Sequence, residues 1–434
     1  MKLLLRYFWI FFLLISIIDT AGAQELQYEK SIIKELSSQK YHGRAYTHNG
    51  IHKSAKFIQK KYSALGLKPF EKEYLQKMAI DVNTFPGKVK LCIDNQKLMP
   101  GVDYLVHPSS CPVKGKFKIA MLNLNDLDNG YKIQQALEKA GDGFLCIDEG
   151  NSDTLSPDRR MKMNSFLNAL LFMPDGNISG ILYLTEKKLT WGVSVVQAPR
   201  TLIQVKKESL SLEKPNEIRI NIKSEFKEGY STANVVGYIQ GKEVPDSFIV
   251  FTAHYDHLGT MGRKTYFPGA NDNASGVAMM LSMAKYFTEN PPRYSLAFIA
   301  LTGEEAGLLG AKHYVENPNF ELSRIRFLVN FDLAGTGEEG IKVVNGAVYD
   351  NEFQILKAIN EENHYLNSVQ KRGEACNSDH CMFYSKNVPS FFIYTLGGSS
   401  HYHDIYDEYG ALSLAGFSGY QKLMQEFVNN IQGL

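Results

Sequence analysis

Apolar positions along the chain fall into three textures. Across Gly50–Leu65 they recur at three- and four-residue spacing, with Ile51, Ala55, Ile58 and Tyr62 on one stripe. That spacing predicts a helix, and residues 24 to about 85 read as helical throughout. From residue 227 to 434, short apolar runs alternate with helical ones. Phe248–Ala253, Leu296–Leu301 and Phe327–Phe331 read as strands, and Gly276–Thr288 and Gly307–Val315 as helices. This alternation predicts an α/β fold: a mainly parallel mixed sheet with helices on both faces. Residues 86–226 differ. Lys116–Leu122, Gly143–Ile147, Gly180–Leu184 and Thr201–Val205 read as short strands between turn residues, with one helix at Lys132–Ala140. The expectation is one domain built from 24–85 and 227–434, interrupted by an inserted β-rich domain at 86–226.

Residues 1–23 read as a signal peptide. Lys2 and Arg6 precede the apolar run Tyr7–Ile18, and Ala21-Gly22-Ala23 offers a small-x-small cleavage site before Gln24. A retained anchor is the alternative, but a bilayer core needs about 20 apolar residues and this run has fewer. The expected product is exported, periplasmic or extracellular, with no integral membrane segment after cleavage. Hydrophobic residues at 44% and charged residues at 21% make the chain globular rather than disordered. A net charge of +1 leaves no field to attract nucleic acid. Five cysteines are too few for a disulfide-built scaffold. Cys376 and Cys381 flank a short polar segment, and either bridge it or remain thiols.

In an open parallel sheet, ligands bind beyond the carboxyl ends of the strands, so polar residues following apolar runs are where chemistry is sought. His254-Tyr255-Asp256 follows Phe248–Ala253, and alternation in extended chain puts His254 and Asp256 on one side, where the carboxylate can orient the imidazole. Asp272 stands at a helix start within Gly269–Gly276. Glu304 and Glu305 follow Leu296–Leu301; adjacent side chains diverge, so one can hold metal while the other faces water. Asp332 closes the run Phe327–Phe331, and His401–Asp407 adds imidazoles. Each element alone reads more readily as structural, a cap or a solvated helix start, than as a ligand. Together they offer two histidines and three carboxylates without thiolate, a set suited to catalytic Zn²⁺, and five ligands suit two ions sharing a carboxylate.

These motifs resemble the co-catalytic zinc exopeptidases, the family of secreted bacterial leucyl aminopeptidases and glutamate carboxypeptidase. The resemblance rests on Ala253–Asp256, Gly269–Gly276, Glu304–Gly310, Asn330–Asp332 and Tyr402–Asp407, in that order, covering about 230–434. Gly43-Arg44 and Gly66–Pro69 resemble the family's N-terminal segment. The resemblance implies a fold of the zinc-exopeptidase kind and two Zn²⁺ per chain: His254 and Asp332 on one, Glu305 and His403 on the other, and Asp272 bridging. It implies Glu304 as general base, Asp256 as buttress to His254, and His380, within Ser378-Asp379-His380, on the substrate side. Residues 86–226 resemble the protease-associated module often inserted in this family. The implied activity is hydrolysis of a peptide substrate by an aminopeptidase, favoured because no arginine cluster stands out for a C-terminal carboxylate. The rivals are a carboxypeptidase, a one-zinc glutaminyl cyclase on the same fold, and a metal-free binding protein.

Overall fold

The structure is a computed structural model describing residues 26–150, 156–174, 176–212 and 214–432. The expected signal peptide at 1–23 lies outside the described residues. The chain builds two eight-stranded sheets. In the first, four central strands run parallel in the order Tyr294–Leu301, Val244–His254, Ile325–Phe331 and Ser390–Leu396. Glu225–Ile239 and Leu75–Thr84 extend one side, each antiparallel to its neighbour; Gly340–Val344 and Val369–Lys371 extend the other.

The apolar runs are continuous because both faces of this sheet are covered. Within Phe248–Ala253, side-chain alternation sends Ile249, Phe251 and Ala253 into one core and Phe248 and Val250 into the other. The first core packs beneath the helices Gln27–Leu36, Gly50–Ala64, Gly276–Glu289, Asp350–Asn363 and Phe417–Ile431. The second packs beneath Leu309–Glu316 and His380–Tyr384. The predicted mainly parallel sheet with helices on both faces is therefore present.

Two expectations need correction. Residues 24–85 are not helical throughout: Leu75–Thr84 is a strand paired to Glu225–Ile239, and its period of two is visible only at its buried end, in Ile80 and Val82. The region 86–226 carries a second helix, Pro157–Phe172, besides Gly130–Ala140. Both cover one face of the second sheet, whose strands Val113–Asn123, Phe144–Asp148, Gly180–Thr185 and Thr201–Lys206 are parallel. Its texture is α/β rather than simply β-rich. Among the described residues no helix is long and apolar enough to cross a membrane.

Candidate metal centre

The four parallel strands present their carboxyl ends side by side, so residues distant in sequence become neighbours. His254 is the last residue of its strand, Asp332 follows Phe331 directly, and Glu304 and Glu305 follow Leu301 after a two-residue turn. Asp272 lies in the turn Ala270–Ser275 leading into Gly276–Glu289, with a cis bond to Asn273. Glycine is required at both edges of this turn. Gly269 has φ +59°, and a Cβ there would strike the Asp272 carbonyl and the His257 ring; one on Gly276 would strike Asn273 and the Phe331 carbonyl.

The five predicted ligands converge. His254 Nε2 is 3.4 Å from both Asp272 Oδ1 and Asp332 Oδ1. On the other side of Asp272, His403 Nε2 is 3.1 Å from Asp272 Oδ2 and 3.2 Å from Glu305 Oε2. Asp272 thus faces both imidazoles with different oxygens. Two atoms bound to one zinc at about 2.0–2.1 Å, at the tetrahedral angle, stand roughly 3.3 Å apart, and the observed separations match that spacing.

Further contacts hold these side chains and their turns in place. Ser378 Oγ donates to Asp332 Oδ2 at 2.9 Å, and accepts from Asn330 Nδ2, whose own Oδ1 accepts from Thr252 Oγ1. Asp407 accepts the backbone N–H groups of Asn271 and Asp272. Arg44, fully buried, donates to the carbonyls of Leu36, Tyr255, Pro268, Gly269 and Asp272. Asp256 sits differently from expectation. Its carboxylate is 3.9 Å from His254 Nδ1, which instead lies 3.2 Å from the Asp256 backbone carbonyl. The carboxylate accepts the N–H groups of Glu304 and Glu305, so it orients the glutamate turn.

His380 corrects the sequence expectation. It is fully buried, its Nε2 bonds to the Ala375 carbonyl, and its ring packs on Phe392. It lies beneath the wall of the adjoining cavity of about 160 Å³, which is lined by Glu304, Leu333, Asn377, Phe392, Tyr394 and Tyr402 beside the ligands. Residues missed from sequence include His257, whose Nδ1 is 2.8 Å from Glu305 Oε1 and which with Asp272 and Glu305 forms a second metal-capable group. The signal was adjacent, in the run His254-Tyr255-Asp256-His257. Asp379, fully buried, was also missed. The loop carrying Ser378 is closed by a Cys376–Cys381 disulfide, with Cα atoms 4.9 Å apart.

The electrostatics ask for a cation. Burial pushes Asp379 up to about 8 and Asp256 up to about 6. Burial, together with Glu305, Asp379 and Asp332, holds Glu304 well above the usual carboxyl range. Burial disfavours charge on His403, yet Glu305 and Asp272 raise it to about 11. Protons thus gather where carboxylates crowd. Asp332 Oδ1, both Asp379 oxygens and His257 Nε2 have no hydrogen-bond partner among the described residues, an arrangement that buried charges tolerate when a metal supplies the counter-charge. The residues present fit a metal.

Residues 234–428 match peptidase family M28. Aminopeptidase YwaD of Bacillus subtilis is 39% identical over 111 residues, 25% of this chain and 23% of that protein. The matched stretch thus spans about a quarter of that curated relative. A zinc aminopeptidase structure from Bacillus subtilis superposes with a TM-score of 0.65 at 20% identity, covering 94% of this chain and 93% of that one. A peptidase M28 precursor from Shewanella amazonensis gives 0.69 at 16% identity, covering 96% and 97%. Both structures share the fold.

Proposed function

We propose that this chain, with its peptidase family M28 match over residues 234–428, is an exported zinc-dependent exopeptidase that removes residues from free amino termini. The observation that carries the reading is the convergence of His254, Asp332, Asp272, Glu305 and His403 at 3.1 to 3.4 Å around two adjacent positions. In this reading His254 and Asp332 hold one zinc, Glu305 and His403 the other, and Asp272 serves both, while His257 steadies Glu305.

Bound zinc supplies an acidified water and polarises the scissile carbonyl. The protein does the rest. Glu304 lines the cavity beside His254 and Asp332, where its carboxylate takes the proton of the attacking water and returns it to the departing amine. Asp256, through the backbone N–H groups of Glu304 and Glu305, fixes which glutamate faces metal and which faces substrate. A cavity of about 160 Å³ walled by Leu333, Phe392, Tyr394 and Tyr402 is of a size to seat one terminal residue beside these groups, in keeping with an exopeptidase. Export rests on Lys2, Arg6, the run Tyr7–Ile18 and Ala21-Gly22-Ala23.

Digestion of an unblocked peptide and its N-acetylated form, read by mass spectrometry, tests the activity. The expected result is stepwise loss of first residues from the unblocked peptide alone. Equal cleavage of both forms would overturn the aminopeptidase assignment.

A further inference from the structure

His403 differs from His254, Asp332 and Glu305 in how it is held. His254 ends a strand, and Asp332 and Glu305 follow strand ends within four residues. His403 lies seven residues beyond Leu396, in a segment outside helix and strand. Its φ is +54°, in the left-handed region that a side-chain-bearing residue keeps only when its surroundings impose it. What imposes it comes from residues 86–226.

Trp191 and His403 bond reciprocally. The Trp191 N–H donates to the His403 carbonyl at 2.9 Å, and His403 Nδ1 lies 2.9 Å from the Trp191 carbonyl. A carbonyl only accepts, so Nδ1 keeps its proton, which leaves Nε2, the nitrogen facing Asp272 and Glu305, as the one that would give up its proton to take a metal. Trp191 is itself anchored: its ring stacks on Phe267 with centroids 4.6 Å apart, and its Nε1–H donates to the Val106 carbonyl. Three residues earlier, Lys188 Nζ reaches three acceptors of the same loop: the Ser400 carbonyl at 2.7 Å, the Tyr402 carbonyl at 3.1 Å and Asp404 Oδ2 at 2.8 Å. These use the full donor capacity of an ammonium.

We propose that Lys188 and Trp191, lent by the second-sheet region to the peptidase loop, are positioning residues for the His403 metal position, fixing its tautomer and its loop. The inference rests on the zinc reading above. Groups that orient a ligating histidine through its other ring nitrogen change metal affinity about 10–100-fold when lost, and Lys188 acts one step further out, through the loop backbone.

The test is a zinc titration of the metal-stripped full-length chain by calorimetry, comparing wild type, Lys188→Met and Lys188→Arg. Lys188 is 43% exposed, so the substitution leaves the core intact. The expected result for Lys188→Met is one zinc bound as in wild type and the other bound about tenfold more weakly, with an unchanged thermal midpoint of the metal-free protein. Lys188→Arg, which keeps the charge and several donors, recovers most of the lost affinity. Two wild-type affinities in Lys188→Met would overturn the inference. So would weakening of both positions together with a lower metal-free midpoint, which marks general structural support. A wild-type chain that takes up no zinc would instead bring down the functional reading itself.

Discussion

Glu304 and Glu305 are adjacent in the chain, yet their carboxyls are driven in opposite directions. Burial with acidic neighbours lifts Glu304, while for Glu305 burial is outweighed by His403 and His257, which hold it well below the usual range. One is therefore suited to carry a proton and the other to stay ionised beside a cation. Glu304→Gln should lower kcat by about 10²–10⁴ while zinc content, measured by mass spectrometry, stays at the wild-type level; near-normal turnover would remove Glu304 from the proton-carrying role. Asp272→Ala should instead cost the protein bound zinc, because Asp272 faces His254 with one oxygen and His403 with the other. Unchanged zinc content in that variant would contradict the shared-ligand assignment. At this scale the sequence was informative where chemistry sits at or just after strand ends, as for His254, Glu305 and Asp332; Asp272, in a turn, was read as a helix start, and His403 was singled out by the family resemblance alone. The sequence misled for His380, because Ser378 and Asp379 precede the short helix His380–Tyr384: Ser378, ahead of the helix, donates to Asp332, while His380, its first residue, is buried with its ring bonded to the Ala375 carbonyl. Which oxygen of Asp256 meets His254 was not legible either, since that depends on the backbone turning after the strand.

Elements deliver these residues, and an inconspicuous one carries a central tie. The 3₁₀ segment Gln39–Arg44 threads Arg44 into the protein beneath the centre, where four hydrogen bonds tie the Asp272 turn to the loop after His254 and a fifth reaches the Leu36 carbonyl. Burial lowers the guanidinium to about 10, with Asp272, Asp407 and Asp256 opposing the drop, so it remains charged at neutral pH. Arg44→Met should destabilise folding by about 3–5 kcal/mol in urea denaturation, because buried carbonyls and carboxylates lose their donor and counter-charge. A loss below about 1 kcal/mol would mean the turns are held by other means. The same scale explains two misreadings. Leu75–Thr84 follows two genuine helices and fully buries none of its first half, so only Ile80 and Val82 betray the strand. Pro157–Phe172 carries charged residues in its first half and buries only Met163, Leu167, Leu170 and Leu171, a thin stripe. Its start was legible in Ser156-Pro157-Asp158: Ser156 caps the helix by accepting from the Arg159 N–H, with proline in the first turn.

Over the whole molecule, a crowd of buried carboxylates makes the metal-free protein sensitive to pH. Asp256 and Asp407, each about 6, and Asp379, about 8, have folded values raised by burial above the unfolded range. Each therefore adds stability that is fully present below its unfolded pKa and lost as pH rises through its folded one. His403, raised to about 11, acts with the same sign above about pH 6.5. The metal-free protein should lose stability steadily from about pH 5 to pH 9, and saturating zinc should stabilise it more at the upper end, as more ligands are free of protons. Thermal midpoints with and without zinc across that range check this; a constant gap would show that the acids do not titrate with the centre. The fold that gathers them was largely readable, since alternating strands and helices bring the carboxyl ends of the four central parallel strands to one side of the sheet. Contacts between the two sheets were not readable, because pairs such as Trp191 and His403 carry no pattern in a single chain. The central claim is tested most directly by anomalous diffraction at the zinc edge on crystals of the zinc-loaded protein. Two peaks about 3.5–4 Å apart are expected, one against His254 and Asp332, the other against Glu305 and His403, with Asp272 between. A single peak, or peaks away from these side chains, would contradict the account.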